Sequence, residues 1–231
     1  MKIYRENLYI IKFILFIYCS EPLVVNPFTA SENVFNYNQD LPVVIIDAGH
    51  GGEDGGAVSD DGILEKDINL DIAKKIEYLF KMSDIPTAMT RDSDRMLYAS
   101  GQENRKKHFD IRNRIEFVKS FEQALLISIH QNKFPIKKYS GFQVYCSKNN
   151  PDSECLGKNI QDIVIKNLQP QNKRQIKIAD NIMILDHLDI PAVIAECGFL
   201  SNGEEAALLC DEDYKNKIAF LIYTAVLQFL K

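Results

Sequence analysis

Three short apolar runs, Val43-Val44-Ile45-Ile46, Leu125-Leu126-Ile127-Ser128-Ile129 and Val193-Ile194-Ala195, each end in polar chemistry. The first is followed by Asp47-Ala48-Gly49-His50, the second by His130 and the third by Glu196. Runs of β-branched and aliphatic residues without polar alternation suit strands buried on both faces, as in a parallel sheet covered by helices. In open sheets of that kind ligands gather at the carboxyl ends of the strands. Neighbouring strands lie about 4.8 Å apart, so side chains leaving three of them can converge on one point.

The rest of the chain alternates between the two periods such a fold needs. Ile68, Ile72, Ile76, Leu79 and Phe80 recur at helical spacing and predict a helix from Glu65 to Met82. Further helices are expected at Asp110 to Lys119, Asp152 to Leu168 and Asp213 to Leu230, and further strands at Pro86 to Arg91, Gly141 to Cys146 and Asn181 to Leu185. The expected fold is therefore α/β: a single domain over residues 41–231, with a mostly parallel six-stranded sheet and helices on both faces. Hydrophobic residues make up 46% of the 231 and charged residues 26%, so a sizeable core is available and a disordered or polytopic membrane chain is not indicated. No internal repeat is visible.

Two imidazoles and a carboxylate arriving at one sheet edge make a metal constellation. Glu65 joins His50 and His130 there, since the Gly-rich loop after the first strand lets the start of the first helix fold back over the edge. Neutral imidazole and carboxylate suit Zn²⁺, and three protein ligands leave a fourth tetrahedral position open, which is the catalytic type of site. Glu196 is then left for proton transfer. Gly49, Gly51, Gly52, Gly55 and Gly56 allow positive φ and a close approach of backbone to the metal. Asp47 is a candidate to orient a ligand imidazole or to satisfy the turn; Asn69 and Asn132 are candidates to hydrogen-bond near the site.

At these residues the chain resembles a known family. Asp47-Ala48-Gly49-His50-Gly51-Gly52, Leu64-Glu65-Lys66-Asp67-Ile68-Asn69-Leu70, Ser128-Ile129-His130-Gln131-Asn132 and Pro191-Ala192-Val193-Ile194-Ala195-Glu196-Cys197-Gly198-Phe199-Leu200-Ser201-Asn202 are similar, in order, to the four motifs of the zinc-dependent N-acetylmuramoyl-L-alanine amidases of the Amidase_3 type. The resemblance implies a phosphorylase/hydrolase-like α/β fold, that His50, Glu65 and His130 bind zinc and that Glu196 is the catalytic carboxylate. It also implies the substrate, the amide between the lactyl group of N-acetylmuramic acid and L-alanine of the peptidoglycan stem peptide. Thr90-Arg91-Asp92 and Arg114 match family positions too, which implies scaffolding of the cleft or contact with substrate; Lys119 departs from the Asn many members carry. The short chain, its apolar N-terminus and the Glu-Cys-Gly-Phe-Leu-Ser-Asn run are most similar to the CwlD-type germination-specific amidases of endospore formers. That implies action in the spore cortex, ahead of muramic-δ-lactam formation; a lytic amidase of vegetative growth or division is the alternative. Many family members are regulated by an inserted blocking helix or by a partner. No long extra helix is expected between Lys81 and Ser128, so an accessory regulatory protein is the expected form of control.

Competing readings rest on fewer residues. Gly49-x-Gly51-x-x-x-Gly55 after a strand suggests a dinucleotide loop, but Glu53 and Asp54 would face the pyrophosphate and the helix does not start at the loop. Cys197 with His130 suggests a cysteine hydrolase, although Glu196 beside it would raise the thiol pKa. A metal-free wall-binding module is the non-enzymatic reading. Arg105-Lys106-Lys107-His108 is expected to be a solvated loop, with contact to stem-peptide carboxylates as the alternative, and His187 a surface turn, with lining of the cleft as the alternative. Cys146 and Cys155 could pair after export, while Cys19, Cys197 and Cys210 complete a set of five without metal-site spacing.

Residues 1–20 hold Lys2, Arg5 and Lys12 around an apolar stretch from Leu8 to Cys19, the length of a secretory h-region and short of the ~20 residues of a membrane span. A signal peptide or short membrane anchor, then a linker over residues 21–40, is expected, and hence an extracytoplasmic enzyme; a buried N-terminal helix is the alternative. Lys plus Arg total 27 against 32 for Asp plus Glu, so nucleic acid is not expected as a partner.

Overall fold

The three apolar runs become the centre of the sheet. A computed structural model describes residues 41–99 and 101–231; the expected export segment and linker lie outside these residues. Strand β1 (Val43–Ala48) pairs in parallel with β3 (Ala124–Asn132), and β3 pairs in parallel with β6 (Ala192–Phe199). On the far side of β1 lies β2 (Thr87–Met89), parallel to it. Beyond β6, β4 (Gln143–Cys146) runs antiparallel and carries the two-residue edge strand β5 (Lys177–Ile178). The spatial order is β2-β1-β3-β6-β4-β5, six strands with one antiparallel pairing.

Each face of the sheet has its own core. On one, Val44, Ile46, Leu125, Ile127 and Val193 pack against α1 (Glu65–Met82), α3 (Asp152–Leu168) and α6 (Glu212–Phe229). Ile68, Ile72, Ile76 and Phe80 supply the buried stripe of α1. On the other, Ile45, Leu126 and Ile194 pack against Ile115 and Val118 of α2 (Lys106–Lys119) and Ile184 and Leu185 of α4 (Met183–Asp186). Residues 45 and 46, or 126 and 127, thus face opposite cores, which is why those runs show no polar alternation. Residues 41–231 form one α/β unit. No helix among the described residues is long and apolar enough to cross a membrane.

Three expectations are corrected. The apolar run expected as a strand at Asn181 to Leu185 is the short helix α4, with Asn181 at φ 59°. Leu185 and Asp186 both donate backbone hydrogen bonds to the Ile182 carbonyl, so the run coils and buries Ile184 and Leu185; its place at the sheet edge is taken by Lys177–Ile178. The basic stretch around His108 is no loop: a 3₁₀ turn (Glu103–Arg105) leads directly into α2 at Lys106. Lysines in a first turn oppose the helix dipole, so sequence points away from a helix start there; ion pairs from Lys106 to Glu53 and Lys107 to Asp54 offset that. Ahead of α6 stands an additional helix, α5 (Gly203–Cys210), capped by the Asn202 side chain, and Asp211 caps α6 in turn. His187 does lie on an exposed turn at the end of α4.

Candidate metal centre

The ends of β1 and β3 and the start of α1 meet where the strand-end reasoning places them. His50 follows β1 with φ 62°, a left-handed conformation uncommon for a residue with a side chain. It turns the imidazole inward, where Nε2 lies 3.3 Å from Glu65 Oε2. His130, on β3, has Nδ1 2.9 Å from Glu65 Oε1. The two rings stand edge to face with centroids 5.0 Å apart. Glu65, only 3% exposed, also accepts hydrogen bonds from the backbone N–H groups of Ala57 and Gln131 and from Asn69 Nδ2. Burial alone would raise its pKa, yet the two imidazoles hold it well below the usual carboxylate range. Burial pulls His50 down, but Glu65 and Asp54 outweigh it and lift the ring to about 9.

One ligand atom from each of His50, Glu65 and His130 lies within 4.8 Å of the others. Zinc bonds to such donors of ~2.1 Å place tetrahedral neighbours roughly 3.4 Å apart. The 3.3 Å His50–Glu65 contact lies near that separation, and the donor set of two imidazoles and one carboxylate suits the ion.

Glycine makes the cradle possible at two positions. A Cβ on Gly49 would stand 2.2 Å from His130 Nε2. One on Gly56, where φ is +69°, would stand 2.6 Å from Glu65 Oε2 and 2.7 Å from His50 Cδ2. Gly56→Ala is therefore expected to displace two of the three donors and to lower bound metal well below one equivalent, by elemental analysis, in protein that remains folded; full stoichiometry would show that the cradle is not the site.

Glu196 stands one strand over, with its Cα in register with that of His130 on one side and Gln143 on the other. Its Oε2 is shut off from solvent and has no hydrogen-bond partner among the described residues. Burial raises its pKa to about 7 against the lowering influence of His130.

Asp47 does not reach an imidazole by hydrogen bond. It accepts from Thr90 Oγ1, Ser128 Oγ and Arg114 Nη1, each at 2.6 Å. Arg114, 1% exposed, donates onward to the carbonyls of Ala48 and His50 and is paired with Asp110. Arg91 holds the carbonyls of Ala48 and Gly49 from the other side. Two buried guanidiniums thus clamp the strand end that carries His50 in its left-handed turn. The carboxylate on the His50 ring is Asp54, 2.8 Å from Nδ1 and paired with Lys107. Sequence reasoning used Asp54 only as an obstacle to phosphate; an acid four residues past a histidine, across a glycine pair, was the available signal. Asn69 bridges Gly49 O, Glu65 and Gln131, and half-buried Asn132 borders a pocket beside the centre.

The cysteines among the described residues take no part in this geometry. Cys146, Cys155, Cys197 and Cys210 are free, and Cys197 is fully buried, its thiol pushed far up by burial and by Glu196, the opposite of an activated nucleophile.

A parallel-sheet edge carrying a His, Glu, His cluster with a further carboxylate beside it marks out an α/β enzyme of the hydrolytic class with a candidate metal site. The family model for N-acetylmuramoyl-L-alanine amidase, Amidase_3, matches residues 44–228, and the chain belongs to that family. It is 35% identical over 189 residues to the germination-specific N-acetylmuramoyl-L-alanine amidase of Bacillus subtilis, covering 81% of this chain and 79% of that protein. Among solved structures, it is similar to the CwlD amidase from Clostridioides difficile in complex with the GerS lipoprotein, at 38% identity and a TM-score of 0.79 over 82% of this chain and 98% of that one. The catalytic domain of the CwlV amidase from Bacillus (Paenibacillus) polymyxa var. colistinus is 28% identical with a TM-score of 0.69, over 83% and 100% of the two chains. The family is that of N-acetylmuramoyl-L-alanine amidases, and the dinucleotide-binding, cysteine-hydrolase and non-catalytic readings fall away.

Proposed function

We propose that this amidase is zinc-dependent, with His50, Glu65 and His130 as ligands and Glu196 as the group that moves the proton, and that it works outside the cytoplasm on spore-cortex peptidoglycan. The observation that carries the reading is the unpartnered, buried Glu196 Oε2 in register with His130. Every other carboxylate at this edge is engaged: Glu65 by the imidazoles, Asp54 by His50 and Lys107, Asp47 by Arg114. Bound between the three donors, zinc would polarise the scissile carbonyl and lower the pKa of water to roughly 7. Glu196 then takes the proton from the attacking water as its oxygen bonds to the lactyl carbon. It returns that proton to the alanine nitrogen as the C–N bond breaks. A carboxyl group held by burial at about 7 is matched to both directions of that transfer near neutral pH. Asp54 and the two arginines keep the His50 side of the site in place while charge moves.

The products would be a free stem peptide and a muramic acid with an unmasked lactyl carboxylate, the form needed for closure of a muramic-δ-lactam. The germination-specific activity of the Bacillus subtilis relative supports the cortex assignment, and the lipoprotein complex of the Clostridioides difficile relative supports control through an accessory partner. Incubating zinc-loaded protein with cortex peptidoglycan, followed by mass spectrometry of muramidase fragments, is expected to show loss of intact stem peptides from muramic acid. Cleavage elsewhere, within the peptide or the glycan, would replace the proposed bond with another.

A further inference from the structure

Beside the metal centre, on the side of Glu196 away from the zinc ligands, the sheet edge opens into a cavity of about 310 Å³, near the lower end of ligand-pocket volumes, roughly 300–1,000 Å³. Asn132 and Phe199 border it at the ends of β3 and β6, and Gln143, Arg174 and Lys177 line its far side. Gln143 is the register partner of Glu196 on β4, so the cavity begins one strand from the proton-transfer group.

The cations in this cavity are held in place without a direct ion pair among the described residues. Arg174 lies over the Phe199 ring at 4.5 Å, its Nε donates to Ser140 O at 2.7 Å, and Nη1 donates to Gln143 Oε1 at 3.1 Å. Gln143 is itself fixed by a hydrogen bond to Gln175 O. Arg174 Nη2 has no hydrogen-bond partner, and neither Arg174 nor Lys177 has an ion-pair partner, among the described residues. Glu205 feels the guanidinium charge, but its oxygens accept from the backbone N–H groups of Gly141 and Phe199. Lys177 reaches over the Tyr145 ring at 5.6 Å. Elsewhere Lys106 and Lys107 are paired with Glu53 and Asp54, and Lys137 with Asp60. In a chain of net charge −5, a preorganised guanidinium with free donors and a second cation beside it is a carboxylate receptor.

The substrate carries a carboxylate at the right distance. Gln143, which accepts from Arg174 Nη1 at 3.1 Å, pairs with Glu196 across one strand spacing of ~5 Å, and an extended peptide advances about 3.3–3.6 Å per residue. With the scissile amide at Glu196, the residue after L-alanine falls ~7 Å along, within reach of the arginine side chain. We propose that Arg174 and Lys177 form a subsite for the carboxylate of that second stem residue, so that the enzyme prefers stems with a free acid there over stems in which it is amidated. The assignment deepens the amidase reading and rests on hydrolysis taking place at Glu196.

Zinc-loaded protein should be compared on two uncross-linked glycan polymers whose stems differ only in carrying glutamate or its amide after L-alanine. A charge-assisted hydrogen bond of this kind corresponds to a preference of roughly tenfold to a hundredfold in kcat/KM, expressed mainly in KM. Arg174→Gln is expected to bring the ratio close to one, Arg174→Lys to retain part of it, and Lys177→Gln, an exposed edge-strand change that leaves the fold untouched, to reduce it. An unselective parent, or variants that keep the parent ratio, would overturn the subsite. Failure of the parent to release peptide from either polymer would overturn the placement of hydrolysis at Glu196, and the subsite with it.

Discussion

Glu196→Gln is expected to lower kcat by about 10²–10⁴-fold, the range general acid–base groups supply, while zinc stoichiometry and fold remain those of the parent. The replacement is nearly isosteric and removes no hydrogen bond from Oε2, which has no partner. It also removes a charge that burial disfavours. A carboxyl group whose folded pKa is raised from 4.5 to about 7 makes the folded state the better proton binder between those values. Stability from this group is therefore greatest at low pH and declines as pH rises towards 7. Metal-free Glu196→Gln should lack that decline and melt no lower than the parent at pH 8. Near-parental turnover in the loaded variant would end the assignment of proton transfer to Glu196, whatever the melting curves show.

The second large effect is structural. Arg114→Met should destabilise the domain by about 3–5 kcal/mol, the cost of leaving one partner of a buried ion pair behind, against a total stability of roughly 5–15 kcal/mol for ordinary domains. Asp47 would be buried without its cation, and the carbonyls of Ala48 and His50 would lose their donor. Denaturant titration measures this, and its pH dependence carries the mechanism. In the parent, burial would raise Asp47, but Arg114, Ser128 and Thr90 outweigh it and hold the carboxyl at about 2, below the ordinary 3.8. A depressed folded pKa gives stability that is present above 3.8 and is lost as pH falls towards 2. With Arg114 gone, burial pushes Asp47 the other way and its penalty grows as pH rises. The gap between parent and variant should therefore be widest near neutrality and shrink at pH 3. A gap independent of pH would mean that Arg114 acts by packing and backbone hydrogen bonds alone.

These two residues show how differently a site is written into a chain. Glu196, His50 and His130 stand out because each terminates a run that nothing else explains, and Glu65 because it begins a strongly periodic helix after a glycine loop. Local pattern was also enough for most of the sheet and for α1 and α3. It failed where an apolar run was too short to reveal its period, as in α4, and where tertiary ion pairs reversed a local bias, as at the start of α2. Asp54 and Arg174 escaped for a related reason: their partners on the site side are set by loop conformation and by strand neighbours far along the chain.

The sequence by itself determined the α/β frame, the edge at which chemistry gathers and the residue types delivered there, because burial of a strand and the spacing of a helix stripe are local properties of the chain. Tertiary structure decided which carboxylate faces which imidazole, which one is left unpartnered, and where a cation stands without a direct ion pair. Those outcomes depend on separations of a few ångströms between segments tens of residues apart. Over such distances a single hydrogen bond or a missing Cβ determines whether a charged group is paired, buried or free to react.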